Sequence, residues 1–160
     1  MKMLLLVTFS LLITLNGCTH NWISDQSRAQ ADRKITFDML TEDASSYQGK
    51  LVMLGGAIIS VKHRDDGTQF LVSEYMLDRW ERPEETTPSG GIFLAKTSMH
   101  LAYTPGTLIS IFGEVKGSRT QLLNGVQYVC PVVSIRESHN IGEPHHWVDY
   151  SKNGYWGITN

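Results

Sequence analysis

The sequence predicts an all-β fold, a small Greek-key, OB-like β-barrel of about five strands. Three observations predict it: runs rich in β-branched and aliphatic residues recur between residues 50 and 137, glycine-containing turns separate them, and helical periodicity is scarce. A β-sandwich is also compatible with this pattern. The length of 160 residues suits one domain, and 41% hydrophobic with 19% charged residues excludes a wholly disordered, collagenous or coiled-coil chain.

The first two strands are predicted as a hairpin over residues 50–75. Residues 50–62 (KLVMLGGAIISVK) are interrupted by Gly55-Gly56, a pair typical of a strand that bulges or bends sharply. Asp65-Asp66-Gly67 is a turn signal, and residues 68–75 are again β in character. The bend matches the coiled first strand of a small barrel.

The middle of the chain mixes strand and turn signals. Residues 78–90 hold two prolines and several acidic groups, which predict a loop. Residues 91–96 (GIFLAK) predict a short strand, and residues 97–104 suit either a helical turn or a strand. Pro105-Gly106 then predicts a tight turn.

The last two strands are predicted on either side of Asn124-Gly125, a strong hairpin turn. Residues 107–116 alternate, so one face should point into the core; its members are Ile109, Ile111, Gly113 and Val115. Residues 126–137 predict the final strand, in which Pro131 requires an edge or a bulge. Cys130 lies in an apolar run and is interpreted as a buried hydrophobe rather than a reactive thiol.

The N-terminus has the pattern of an export signal. Met1-Lys2 is positively charged, and residues 3–15 form an apolar stretch too short to span a bilayer comfortably. The following Leu15-Asn16-Gly17-Cys18 resembles the lipobox of bacterial lipoproteins. That resemblance implies cleavage between Gly17 and Cys18 and a covalent lipid on Cys18; no other cofactor is predicted.

These patterns divide the chain into four parts. Residues 1–17 are predicted as a cleaved signal peptide and residues 18–34, which lack periodicity, as a flexible lipidated tether. Residues 35–138 form the predicted barrel. Residues 139–160 form a tail rich in histidine and aromatic residues.

A series of short motifs from Phe37 to Trp147 is similar to the Slp family of outer membrane lipoproteins. The motifs are Tyr47-x-Gly49, Gly55-Gly56, Met76-Leu77-Asp78, Gly91-Ile92-Phe93-Leu94-Ala95, Phe112-Gly113-Glu114-Val115 and Asn124-Gly125-Val126-x-Tyr128. The resemblance implies a lipid-anchored outer membrane protein of Gram-negative bacteria, expressed under stress or in stationary phase. We expect it to face the periplasm, although the sequence leaves exposure at the cell surface open. It brings no catalytic or ligand-binding residues to this chain.

Two groups near the C-terminus are candidate sites. His139, Glu143, His145 and His146 combine imidazole and carboxylate groups that suit zinc, copper or nickel, although a solvated polar loop is the simpler explanation of them. The aromatic residues of the tail are a candidate interface with a partner or membrane, or a cap on the barrel; they are Trp147, Tyr150, Tyr155 and Trp156.

The sequence contains no hydrolase, zinc-protease, phosphate-loop or Cys-x-x-Cys motif, so we expect no enzyme. A formal net charge of -2 provides no overall basic field for nucleic acid. We therefore expect a non-enzymatic role in envelope stress or stationary-phase tolerance through envelope or protein contacts. The alternative is a periplasmic OB-like module that binds a small solute, an oligosaccharide or a divalent metal.

Overall fold

The computed structural model of the protein describes residues 22–143, with the backbone alone at 85–90. Two short helices, α1 (Asp25–Gln30) and α2 (Phe37–Asp43), precede a 3-10 helix (Ala44–Tyr47). Five strands follow: β1 (Leu51–Arg64), β2 (Gly67–Leu77), β3 (Pro83–Thr97), β4 (Leu108–Leu123) and β5 (Val126–Gly142). Neither helix has the length and apolarity that crossing a bilayer requires.

The five strands close into a barrel in the order β1-β2-β3-β5-β4, with β4 paired back to β1. All neighbours are antiparallel except β3 and β5, which run parallel. Because β5 lies between β3 and β4, the connection is of the Greek-key type found in the OB-fold. The predicted all-β, OB-like architecture is confirmed.

The first strand changes partner at its glycine pair. It pairs with β4 over Leu51–Ala57 and with β2 from Gly56 onwards. A Cβ atom on Gly56, whose φ is +156°, would lie 1.8 Å from the Ser73 carbonyl oxygen, so no larger residue fits. The predicted bend therefore lies at the glycines, whereas the register shift on β1 falls a little later, between Ile58 and Ser60.

One apolar core fills the barrel. The inward face predicted for β4 is confirmed, since Ile109, Ile111 and Val115 are all buried. Helix α2 contributes Phe37, whose ring meets Phe93 edge-on at 6.2 Å between centroids. Strand alternation places a second apolar cluster on the opposite face of the sheet; its buried members are Leu71, Ile92, Leu94, Cys130 and Val132.

The turns that the sequence predicted are present. The strands β1 and β2 form a hairpin in which Arg64 pairs with Gly67. Asn124 and Gly125 have φ values of +50° and +82° and join β4 to β5. Pro131 lies opposite an irregularity of β4 between Val115 and Ser118, as a proline inside a strand requires.

Three predicted boundaries are wrong. Residues 83–90 belong to β3 rather than to a loop, because this stretch pairs irregularly with β2, where Pro88 faces Tyr75 across shifts in register. Residues 98–107 contain neither strand nor helix. The last strand continues to Gly142 because residues 139–142 still pair with β4, so the predicted tail begins inside the barrel.

Candidate functional site

The segment that follows the proposed lipidation site is packed against the barrel. Ile23 has no exposed surface, and the Ser24 side chain caps α1 by accepting the Ser27 N–H. We predicted a flexible tether over residues 18–34, and for residues 22–34 this is wrong, because two buried residues, Ile23 and Ser27, and several polar and ionic contacts hold them in place. Residues 18–21 lie outside the described residues.

Glu137 on β5 makes the first of these contacts. Its carboxylate accepts the Ser24 N–H at 2.7 Å, the Ser24 hydroxyl at 2.8 Å and the Ser27 hydroxyl at 2.5 Å. Burial raises the pKa of Glu137, but these hydrogen bonds and the neighbouring His139 outweigh it, so the pKa is lowered overall. The charged carboxylate is therefore the form that holds α1.

Glu81, in the turn between β2 and β3, makes the second contact. One of its carboxylate oxygens lies 2.9 Å from Arg28 Nε and 3.0 Å from an Arg33 guanidinium nitrogen, and the Glu81 side chain is 4% exposed. The Glu81 backbone has a φ of +60°, and its carbonyl accepts the Ser110 hydroxyl. Glu81 keeps this left-handed conformation, unusual for a residue other than glycine, because its backbone is hydrogen-bonded and its side chain is ion-paired.

The same turn is ordered by Asp78. Its carboxylate accepts the backbone N–H groups of Trp80 and Arg82 and binds the Arg82 guanidinium at 2.8 Å. Burial raises the pKa of Asp78, but the hydrogen bonds from Arg82 and Trp80 and the charge of Arg82 together lower it by more, so the pKa lies below its ordinary value. Glu81 therefore meets the two arginines from a preorganised turn. We refer to the contacts of Glu81 and Glu137 with residues 22–34 as the N-terminal junction.

The predicted metal ligands are separated by the structure. His139 lies within β5, opposite Ser110, and its ring centroid is 4.7 Å from that of Trp22. Glu143 follows the end of the strand, and His145 and His146 lie outside the described residues. Residues 22–143 contain no group of three or more potential metal ligands, so a site built by all four residues stays a prediction.

The remaining predicted residues have the following positions. Gly17, Cys18 and the four tail aromatics, Trp147, Tyr150, Tyr155 and Trp156, lie outside the described residues. Cys130 is fully buried, as predicted. Burial raises the pKa of its thiol to about 11, so the group is protonated at neutral pH.

The described residues define a class of protein: a small closed β-barrel to which its own N-terminal segment is bound. The sequence model of the outer membrane lipoprotein Slp family matches residues 15–157, a range that begins at the lipobox and spans the whole barrel. The chain therefore belongs to the Slp family. It is a lipid-anchored protein of the outer membrane, as predicted.

Two further comparisons concern individual proteins. No curated protein matches the sequence. Among solved structures, a small single-stranded DNA-binding protein from Streptomyces coelicolor is 13% identical, with a TM-score of 0.38, over 57% of this chain and 94% of that chain.

Proposed function

We propose that this protein uses a lipid on Cys18 to hold its barrel close to the periplasmic surface of the outer membrane. There it contributes, without catalysis, to envelope stress or stationary-phase tolerance through contacts with envelope components. The absence of catalytic motifs from the sequence supports the non-enzymatic part of the proposal. The family resemblance supports the envelope role.

The observation that carries the proposal is the short distance in sequence between the anchor and the packed domain. Cys18 and Ile23 are five residues apart, and five residues span at most about 18 Å when fully extended. Ile23 is buried, and the N-terminal junction fixes the residues that follow it. A chain anchored at Cys18 would therefore keep the barrel beside the membrane and would not let it reach across the periplasm.

The anchor is tested by intact mass measurement and membrane fractionation of the full chain produced in a Gram-negative host. We expect a triacylated product in the outer membrane fraction, and for Cys18→Ala an unlipidated product lost from that fraction. Cys130→Ala is the matched control, since it removes the chain's other cysteine and should leave fractionation unchanged. Retention of Cys18→Ala in the outer membrane would refute the anchor.

The importance of membrane proximity is tested separately. Insertion of about 15 Gly/Ser residues between Thr19 and His20 lengthens the connection several-fold without altering the lipobox. In a strain lacking the native protein, we expect the lengthened chain to be lipidated and correctly sorted but to restore stationary-phase survival less well than the unaltered chain. Equal restoration by both chains would refute the proximity requirement.

A further inference from the structure

A small basic cleft lies on the outside of the barrel where β3, β5 and β4 meet. Its volume is about 260 Å³, and it is lined by Lys96, Lys116, Ser118, Arg119, Val132 and Ser134. None of these residues belongs to the N-terminal junction. The cleft is therefore a separate feature of the fold.

Strand geometry brings the lining residues together. Lys96 pairs with Ser134 in the short parallel ladder between β3 and β5. On β4, the register shifts between Val115 and Ser118, and Gly117 within this irregularity has a φ of +93°. Bulges of this kind redirect the neighbouring side chains, which explains why Lys116 and Arg119 both reach one cleft.

The lining contains three cations and no carboxylate. Lys116 is partly neutralised, since its ammonium lies 2.5 Å from Glu114, which also binds Arg136 at 2.8 Å. Among the side chains that the structure describes, Lys96 and Arg119 form no ion pair within 4.0 Å of an acidic group. Two positive charges in the cleft are thus left without a carboxylate partner in the described part of the chain.

These charges also act on one another. Burial lowers the pKa of Lys96, the positive charges of Arg119 and Arg64 lower it further, and Asp66 opposes them. A bound anion would relieve this repulsion. The cleft therefore favours an anionic ligand on electrostatic grounds.

The donor set is that of an oxyanion site. Guanidinium and ammonium groups bind phosphate oxygens through charge-assisted hydrogen bonds, and the hydroxyls of Ser118 and Ser134 are further donors. Val132 supplies an apolar wall. A volume of about 260 Å³ is below the usual range of drug-sized ligand sites, so it suits one phosphate with a small attached group.

We propose that this cleft binds a phosphate group, with Lys96 and Arg119 as its principal ionic partners. In the outer membrane environment, that phosphate comes either from an anionic phospholipid headgroup or from a free phosphate ion. The proposal does not depend on the lipid at Cys18, because its test uses purified protein.

The test measures the thermal stability of the purified protein, in whatever form the Gram-negative host produces it, in a neutral detergent at constant ionic strength. One series adds inorganic phosphate and the other adds short-chain phosphatidylglycerol below its micelle concentration, each against equal chloride. A ligand bound only by the folded state raises the melting temperature with a saturating dependence on concentration. We expect such a rise for at least one probe.

The double variant Lys96→Gln/Arg119→Gln removes both unpaired charges. We expect it to weaken binding at least tenfold and, without anion, to melt no lower than the unaltered protein, because it relieves repulsion. Lys34→Gln/Lys50→Gln is the matched control: it removes two exposed cations outside the cleft and should bind as before. If the double variant fails to fold, the single variant Arg119→Gln, at an exposed position, replaces it.

The outcomes separate the sources. Stabilisation by phosphatidylglycerol that depends on the two residues identifies a lipid headgroup, and stabilisation by inorganic phosphate alone identifies the free ion. No saturating stabilisation by either probe, or equal stabilisation of the double variant, would overturn the proposal. None of these results alters the expected fractionation of Cys18→Ala, so the two proposals fail independently.

Discussion

The Ser24 hydroxyl lies 2.8 Å from the Glu137 carboxylate, which joins the N-terminal segment to the last strand of the barrel across 113 positions of sequence. The bond lies six residues after the proposed lipidation site. The bond therefore fixes the N-terminal segment to β5 close in sequence to the proposed anchor.

The stabilisation of α1 by the Glu137 carboxylate should depend on pH. Because the folded-state pKa lies below the ordinary value of 4.5, the stabilisation is fully present above that value and is lost as the pH falls through the lower, folded-state pKa. Hydrogen exchange, corrected for intrinsic rates, should show the protection of the Ser27 and Arg28 amides falling between about pH 5 and pH 3.

Glu137→Gln should abolish this pH dependence. The variant cannot ionise and loses charge-assisted bonds, so protection at pH 6 should already be lower by about 1 to 2 kcal/mol and should change little on acidification. Glu42→Gln, at an exposed position on α2, should behave as the unaltered protein. Constant protection of the unaltered protein over this pH range would disprove the role given to the carboxylate.

The two arginines that meet Glu81 should contribute unequally. The Arg28 side chain is 25% exposed and the Arg33 side chain is 63% exposed, so water screens the second pair more strongly. Arg28→Gln should lower the free energy of unfolding by about 1 to 2 kcal/mol and Arg33→Gln by less than about 0.5 kcal/mol, measured by urea denaturation. The reverse order would show that exposure does not control these pairs.

The fold was predictable where local chemistry decides it. Asn124-Gly125 adopts the positive φ values of a hairpin turn, and the alternation from Ile109 to Val115 matches the buried face of β4. By contrast, α1 escapes detection by periodicity, because six residues form fewer than two turns. Ser24, an N-cap residue followed by Asp25 in the first turn, was the one local signal for it.

The basic cleft was not predictable from the sequence for a different reason. Lys96 and Arg119 are far apart in the chain and become neighbours only because β5 pairs with both β3 and β4. The net charge of -2 averages over the whole chain and hides a local excess of cations. The N-terminal junction has the same character, because Glu137 and Ser24 meet only once the barrel has closed.

Gly56→Ala should be among the most damaging single substitutions in the barrel. Its methyl group would lie 1.8 Å from a backbone oxygen of β2, so two paired strands must separate at the point where β1 changes partner. We expect a loss of more than about 3 kcal/mol, or failure to accumulate. Gly106→Ala is the control, because its added methyl group would meet no atom within 4 Å. The backbone there has a φ of +89°, so we expect only the cost of a left-handed conformation, about 1 to 2 kcal/mol of stability. Equal losses in thermal denaturation would contradict this account.

The Cys130 thiol should be inert in the folded protein although the compartment is oxidising. It is fully buried in the second apolar cluster, and a pKa of about 11 leaves almost no thiolate at pH 8. A maleimide reagent should therefore leave Cys130 unmodified in the native protein and label it fully in 8 M urea, as followed by mass spectrometry. The Cys18→Ala variant is the appropriate sample, because Cys130 is then its only thiol. Rapid native labelling at pH 8 would mean that the second apolar cluster opens readily, since the fully buried Cys130 thiol would then be accessible to the reagent.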